Sequence, residues 1–202
     1  MSSLRKTLKD NRWACWLALA CLVVPMFASY FFDDMFSTIS HIFKNPEMLE
    51  LGWNTMDYGF YAGGYSFLCV WGGLIVCGML LDKWGVRVTG SIFVGLMAAG
   101  AALVYVTISS KAIVATGNSL YIAYVGCMLF GLGSEIAGVA VTRSIAKWFK
   151  GKSMALAMGL QLAIARLGTA AALLLSPVLV AESATGMYPL DVTNRPAFFG
   201  LM

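Results

Sequence analysis

Five stretches of this chain are apolar over twenty residues or more, and this property limits the available folds more than any other. A helix needs about 20 apolar residues to cross the roughly 30 Å hydrocarbon core of a bilayer. Of the 202 residues, 59% are hydrophobic and 12% are charged, against about 25% charged in a typical soluble domain. The sequence therefore predicts an all-α, multi-pass integral membrane protein. The predicted spans are about 13–32, 57–81, 88–108, 119–142 and 153–180.

Lys and Arg are divided unevenly between the two ends of the predicted bundle. Ten lie at the N-terminus, in the turn 81–88 and in the hinge 143–152, and three lie on the opposite side. Cytoplasmic loops carry the excess of Lys and Arg in membrane proteins, so we expect the N-terminus in the cytoplasm. The formal net charge of +4 follows from this asymmetry and does not indicate a nucleic-acid partner. The ten are Arg5, Lys6, Lys9, Arg12, Lys83, Arg87, Arg143, Lys147, Lys150 and Lys152, and the three are Lys44, Lys111 and Arg195.

Few side chains in this sequence are suited to catalysis or to metal binding. The five cysteines all fall inside predicted helices, without the spacing of a metal site, and are typical of small apolar side chains. The single histidine, His41, lies in the first external loop. The sequence contains no recognisable nucleophile–base pair and no phosphate-binding turn, so it favours neither an enzyme nor a protein with a metal or cofactor.

The segments outside the spans suggest how the chain is organised. The stretch 33–56 is polar and acidic and is suited to a short surface helix. A new apolar run begins at Ala197 and ends six residues later, at Met202, which is too short to cross a bilayer. We interpret residues 1–202 as one N-terminal transmembrane bundle that stops at the opening of a sixth helix, because the chain is a fragment or because the gene is cut short.

Two charged residues, Glu135 and Arg166, fall deep inside predicted spans. Glu135 lies eight residues before Arg143, or about 12 Å of helical rise, and Arg166 lies 14 residues past Lys152, or about 21 Å. A charge in hydrocarbon costs at least ~2.5 kcal/mol, so it usually faces a cavity or a partner. The short hinge puts the two spans side by side, with the charges about 9 Å apart in depth. Two interpretations stay open: a structural ion pair, or a site that binds a zwitterion, with its ammonium group at Glu135 and its carboxylate at Arg166.

The turn between the second and third predicted spans contains a second group of candidate functional residues, in the stretch GMLLDKWGVRVTG. Its glycine permits a sharp reversal, its aspartate can cap a helix N-terminus, and its basic residues hold the turn at the cytoplasmic surface. The spacing resembles the signature loop of the major facilitator superfamily, apart from Val88, where a second basic residue is usual. The resemblance implies a cytoplasmic gate that closes against the other half of a transporter. The matching residues are Gly78, Asp82, Lys83, Gly85 and Arg87.

The stretch from Gly131 to Gly168 resembles one branch of that superfamily, the lysosomal dipeptide transporters and their bacterial relatives. The shared features are the Gly-Ser-Glu of the fourth span, the WFKGK hinge, GLQL and ARLG in the fifth span, and SYFFDD at the end of the first. The resemblance covers about residues 13–180. It implies a secondary transporter of dipeptides, made of two six-helix bundles that work by alternating access, of which this chain holds the N-terminal bundle and lacks the C-terminal one. It also implies that Glu135 and Arg166 hold the amino and carboxyl termini of the peptide.

Several points stay open beside this resemblance. We expect Tyr30 and Tyr61 to face the cavity as part of the substrate site, although such rings also serve in packing or in an interfacial belt. A carrier of dicarboxylates or other small organic anions would equally need Arg166, with Glu135 as a proton-coupling site, and a truncated, non-transporting membrane protein would need neither. The expected partners are a small solute, the lipid bilayer, and either the missing half or a second copy, since the substrate site of such transporters lies between two halves. The expected location is a bacterial inner membrane.

Overall fold

The structure, a computed structural model, describes residues 12–45, 47, 49–149, 153–180 and 188–201. The regular structure of these residues is helical, with one isolated β-bridge between Leu49 and Tyr188. Five of the basic residues behind the predicted orientation, Arg5, Lys6, Lys9, Lys150 and Lys152, lie outside the described residues. The helices are α1 Arg12–Asp34, α2 Thr55–Leu68, α3 Leu74–Ser109, α4 Lys111–Ala115, α5 Ser119–Trp148, α6 Met154–Leu179, α7 Leu190–Thr193 and α8 Arg195–Leu201, with a 3₁₀ turn at Ser40–Lys44 and a π-helical turn at Cys69–Gly73.

Long apolar helices make this an integral membrane protein. One helical stretch, Thr55–Ser109, has 55 residues and would reach about 82 Å if straight, more than twice the thickness of the hydrocarbon core. Large apolar side chains are exposed along the helices, where lipid would cover them. In the part of the chain that the structure describes, four stretches are long and apolar enough to cross a membrane, namely Trp13–Asp34, Thr55–Ser109, Ser119–Trp148 and Met154–Leu179.

The stretch Thr55–Ser109 folds back on itself. A Cβ added to Gly131 of α5 would meet Tyr65, and a Cβ added to Gly133 would meet Met97. Residues 65 and 97 therefore flank α5 at nearly the same depth, although a straight helix would hold them about 48 Å apart.

The reversal occurs at Gly85, between an arm of α3 over residues 74–84 and an arm over residues 86–109. Gly85 has φ 79° and ψ 164°, a backbone conformation that glycine adopts without the steric cost of a Cβ. Across the turn, the Thr89 hydroxyl donates to the Leu80 carbonyl at 3.4 Å. The turn predicted at 81–88 has its bend at this glycine.

A second break interrupts the predicted span 57–81, and the sequence did not predict it. Within the π-helical turn, Trp71 has ψ 20° and Gly72 has φ 95° and ψ 2°. π-Helical turns are a common cause of kinks in helices and are frequent at functional sites. The break separates α2, which carries Tyr65, from the arm of α3 that ends at the signature loop.

The bundle packs around α5, which extends six residues beyond the predicted end of the fourth span. Arg143 and Lys147 consequently lie on its last turns rather than in a hinge. Hydropathy ends a predicted span where charges begin, but a helix continues as long as one face stays buried, and Ile145 is 0% exposed. Small residues let other helices approach closely, as at Gly126, where a Cβ would lie 2.9 Å from Val104 Cγ2.

The segment 33–56, predicted to be polar, buries most of its described apolar residues and closes the end of the bundle where α1 finishes. Phe43 stacks on Tyr58 with ring centroids 5.0 Å apart, and Trp53 donates its indole N–H to Ser119 Oγ at 3.1 Å. His41 is exposed, as expected for a solvated loop residue. The short helix expected here is the 3₁₀ turn at Ser40–Lys44, but the burial was not predicted, because polar residues alternate with apolar ones and average hydropathy does not reveal which of them point inward.

Glu50 fastens this segment to the start of α7. Its Oε2 accepts the Leu190 backbone N–H at 2.8 Å, and its Oε1 lies 3.1 Å from Lys111 Nζ. The hydrogen bond from Leu190, followed by the one from Lys111, holds the pKa of the Glu50 carboxyl below its ordinary value. The carboxylate is therefore charged at neutral pH and joins three segments that are distant in sequence.

The apolar run predicted from Ala197 belongs to α8, which lies against α1, α3 and α6. The rings of Phe198 and Tyr105 have centroids 5.7 Å apart, and a Cβ on Gly200 would lie 2.8 Å from a ring carbon of Phe32. Just before α8, Asn194 Nδ2 donates to Ser109 Oγ at 2.9 Å.

Candidate functional site

A cavity of about 470 Å³ opens between α1, α2, α5 and α6. Its lining is mostly apolar, with a few polar side chains that converge from different helices, which is the usual composition of a small-molecule site. Glu135 lines it from α5 and Tyr30 lines it from α1. In the described ranges, no three His, Cys, Asp or Glu side chains come together in a way that could hold a metal ion.

Glu135 is supported by a hydrogen-bonded chain that reaches from α5 to α2 and α1. The Tyr65 hydroxyl donates to Glu135 Oε1 at 3.3 Å and lies 3.1 Å from Ser134 Oγ. Ser134 Oγ in turn bonds Ser29 Oγ across the interface between α5 and α1, where both serines are buried. The carboxylate itself stays exposed to the cavity, so it is held in place and remains available to a ligand.

Arg166 reaches from α6 to the face of Tyr30. Its guanidinium carbon lies 5.8 Å from the centroid of that ring, within the range of a cation–π contact. Helices α1 and α6 pack closely enough to bring these side chains together because Gly168 has no side chain. A Cβ at Gly168 would lie 2.5 Å from the Phe27 carbonyl oxygen of α1. Arg166 is exposed and is not itself among the residues that line the cavity; it adjoins the cavity through Tyr30, which does line it.

Glu135 and Arg166 lie at nearly the same depth, which corrects the prediction. Gln161 Nε2 donates to Thr142 Oγ1 at 3.2 Å, so residues 161 and 142 mark one level on the antiparallel helices α6 and α5. Measured from this level away from the signature loop, Glu135 lies seven residues along α5, about 10 Å. Arg166 lies five residues along α6 in the same direction, about 8 Å. Arg166 is thus about 3 Å nearer the signature-loop end of the bundle than Glu135, instead of about 9 Å farther from it. The prediction was wrong because it ended the fourth span at 142, whereas α5 continues to Trp148.

The two charges do not pair with each other. Among the residues that the structure describes, the ion pairs are Arg143 with Asp82 and Lys111 with Glu50. The structure therefore does not contain the structural ion pair that the sequence left open for Glu135 and Arg166. Each of the two instead has a tyrosine as its neighbour, and both remain exposed.

Tyr61 does not line this cavity, unlike Tyr30. Its side chain is 5% exposed and packs edge-on against Phe36, with ring centroids 5.8 Å apart. Beside it is a small enclosed space of about 20 Å³ that also involves Tyr58 and Cys127. The packing role that the sequence left open for aromatic residues is the one that the structure assigns to Tyr61.

The signature loop is tied to α5 by its aspartate. Asp82 Oδ1 accepts a charge-assisted hydrogen bond from Arg143. The sequence had suggested instead that Asp82 caps a helix N-terminus. Lys83 and Arg87 are exposed beside it, and Gly78 is half-buried with open space next to its Cα. Arg143 was counted as a topology-setting charge, and its position on the last turns of α5 makes it the partner of Asp82.

The sequence analysis missed Thr142 and Gln161, which line the same cavity closer to the signature loop. A glutamine within an apolar span was the available signal, because a polar side chain in a membrane helix needs a partner. Ser134 carried a weaker signal, since serine is common in membrane helices and its pairing with Ser29 and Tyr65 across helices is a tertiary property.

Comparison with known proteins assigns the class. A family model described as Major Facilitator Superfamily matches residues 12–188, and the chain belongs to this superfamily of membrane transporters. The chain is 30% identical over 148 residues to the lysosomal dipeptide transporter MFSD1 of Danio rerio, an alignment that covers 71% of this chain and 29% of that protein. It is 29% identical over 156 residues to the Mus musculus protein of the same name, covering 76% and 30%. The Homo sapiens protein of that name is 27% identical over the same share of each chain.

This chain spans about 30% of the length of the curated relatives that it matches. No solved structure matches it. Membership of the superfamily places the chain among proteins that are membrane transporters.

Proposed function

We propose that this protein takes part in the transport of small zwitterionic solutes, dipeptides in particular, by alternating access. The observation that carries the proposal is the arrangement of two charges at about one depth that do not pair: Glu135 lines the cavity, and Arg166 contacts Tyr30, which lines it too. A charge inside a membrane protein is costly and usually serves a partner, and a zwitterion would satisfy both charges at once. The names of the relatives support dipeptides as the solute.

Each charge would recognise one end of the solute. The Arg166 guanidinium offers a fork of N–H donors that matches a carboxylate, and Tyr30 beneath it limits the motion of the side chain. The Glu135 carboxylate, held by Tyr65, accepts hydrogen bonds from an ammonium group. Both side chains are exposed on this bundle, so we propose that a second bundle, supplied by a missing half or a second copy, completes the cavity. Asp82, Lys83 and Arg87 would then face it as a cytoplasmic gate.

The test is a set of ligands that differ in one charge at a time. The melting temperature of the purified protein is measured with Ala-Ala, with N-acetyl-Ala-Ala, with Ala-Ala amide and with oxalate. We expect stabilisation by Ala-Ala alone, because a ligand at 100 times its Kd stabilises by about 2.7 kcal/mol and each blocked dipeptide lacks one of the two contacts. Light scattering on the stabilised species reports whether a second copy is present.

Two results would contradict the proposal. Stabilisation by oxalate without stabilisation by Ala-Ala would identify an organic-anion carrier. Equal stabilisation by Ala-Ala and by both blocked dipeptides would show that the charges do not read the ends of the ligand.

We further propose that the chain crosses the membrane five times before α8, with its N-terminus in the cytoplasm. The reversal at Gly85 and the basic residues on the signature loop support this topology. In a cysteine-free background, His41→Cys should react with a membrane-impermeant maleimide added outside, and Trp84→Cys should react only after permeabilisation. Both positions are exposed, so the opposite pattern would reverse the assigned orientation. The relatives from Danio rerio, Mus musculus and Homo sapiens are named as lysosomal proteins, and they do not support the bacterial inner membrane, which stays a prediction.

A further inference from the structure

Tyr30 is connected to both charges of the candidate site. Its ring lies beneath Arg166, with the guanidinium carbon 5.8 Å from the ring centroid. Its neighbour Ser29 is hydrogen-bonded to Ser134, the neighbour of Glu135, so Tyr30 and Glu135 lie at about the same level on α1 and α5. Helix α1 contacts both α5 and α6. Tyr30 therefore touches one charge and lies level with the other.

The hydroxyl of Tyr30 is available to a ligand. Tyr65, which also lines the cavity, donates its proton to Glu135, whereas no group among the described residues forms a hydrogen bond with the Tyr30 hydroxyl. Tyr30 is half-buried, and its oxygen is not sealed away from the cavity. A tyrosine hydroxyl can both donate and accept a hydrogen bond, and it usually has a partner when it is buried.

The part of a solute beside this hydroxyl is the part that links its two charged ends. With the ammonium group at Glu135 and the carboxylate at Arg166, the linker passes Tyr30. The linker of a dipeptide is a peptide bond, which offers a carbonyl acceptor and an N–H donor, and a hydroxyl can pair with either. A chain of methylene groups offers neither, and it would displace water from the hydroxyl without replacing the lost hydrogen bond.

We propose that the Tyr30 hydroxyl binds the peptide bond of the solute and thereby selects dipeptides over amino acids of the same length that lack a peptide bond. The proposal rests on the proposed function, since Glu135 and Arg166 hold the two ends of the solute. The ring and the hydroxyl of Tyr30 have separate roles. The ring supports Arg166, and the hydroxyl recognises the linker, so phenylalanine at this position removes the second role and keeps the first.

The test compares Gly-Gly with 5-aminopentanoate, which has the same number of atoms between its charged ends but no peptide bond. Their affinities are measured by competition with Ala-Ala. The wild-type protein binds Gly-Gly about 5- to 10-fold more tightly, the ratio that one net hydrogen bond supplies. In Tyr30→Phe the affinity for Gly-Gly falls about 5-fold, whereas that for 5-aminopentanoate changes less than about 2-fold. Tyr58→Phe is the control, because Tyr58 stacks on Phe43 and does not line the cavity, and it retains the wild-type ratio.

The outcomes separate this inference from the proposed function. If Tyr30→Phe keeps the wild-type ratio, whether both affinities are unchanged or both fall together, the hydroxyl does not bind the linker, and the function stands. The inference is also refuted if 5-aminopentanoate fails to compete in the wild-type protein, because one hydrogen bond does not produce so large a preference. If the wild-type protein binds neither of these ligands nor Ala-Ala, the proposed function fails and the inference with it.

Discussion

Replacement of Arg166 by alanine is expected to abolish dipeptide binding while leaving the bundle folded. The exposed guanidinium would hold the carboxylate of the solute, and removal of one partner of a hydrogen-bonded charge pair costs about 2–5 kcal/mol. We therefore expect a loss of affinity of at least ~30-fold, measured by the dipeptide-dependent shift of melting temperature. The melting temperature without ligand should change little, because the side chain contributes an exposed cation–π contact with Tyr30.

The lysine variant provides the matched control for charge. Arg166→Lys keeps the positive charge but replaces a planar fork of donors with a compact ammonium group. We expect it to bind dipeptides more weakly than the wild type and better than Arg166→Ala. Undiminished stabilisation of Arg166→Ala by Ala-Ala would remove Arg166 from the substrate site.

Replacement of Gly131 by alanine is expected to have the largest effect on folding. A Cβ at this position would overlap the backbone carbonyl of Tyr65 on α2, and backbone cannot rotate away as a side chain can. Overpacking of a helix interface typically costs 1–3 kcal/mol, and a clash with backbone lies at the upper end of that range. We expect the melting temperature of Gly131→Ala to fall sharply and its gel-filtration profile to broaden.

Gly159→Ala is the control for this variant. Gly159 lies inside α6 with no atom within 4 Å of an added Cβ, so the substitution changes helix propensity without creating a clash. Alanine favours a helix by about 1 kcal/mol over glycine, so this variant should be as stable as the wild type or more so. A melting temperature of Gly131→Ala equal to that of Gly159→Ala would show that α2 does not pack against α5 at this point.

The sequence predicted the class of structure and the approximate helices because these depend on local properties. The fifth predicted span, 153–180, differs from α6 by one residue at each end, since its edges coincide with polar or turn residues. In the structure, α5 continues six residues past the predicted end of the fourth span, because Ile145 stays buried beyond the first charged residue. The bend at Gly72 was not predicted, because a glycine in an apolar helix is compatible with both straight and bent backbone.

Prediction of the candidate site was more limited. Glu135 and Arg166 could be selected by their cost in hydrocarbon alone. Tyr30 and Tyr61 could not be distinguished by sequence, because both are tyrosines in or near apolar spans. The structure separates them: Tyr30 lies against Arg166 at the cavity, and Tyr61 packs against Phe36. The sequence could not show that Gln161 hydrogen-bonds to the Thr142 hydroxyl, because the two residues lie on different helices.

The amino-acid sequence by itself determined that this is a helical membrane protein with two charges within its spans, because hydrophobicity and charge act residue by residue along the chain. The tertiary structure alone decided that these charges lie at one depth, that they stay apart, and which side chains hold them. Those properties depend on where each helix ends and how it is rotated against its neighbours. A shift of six residues in one helix end was enough to change the relation between Glu135 and Arg166.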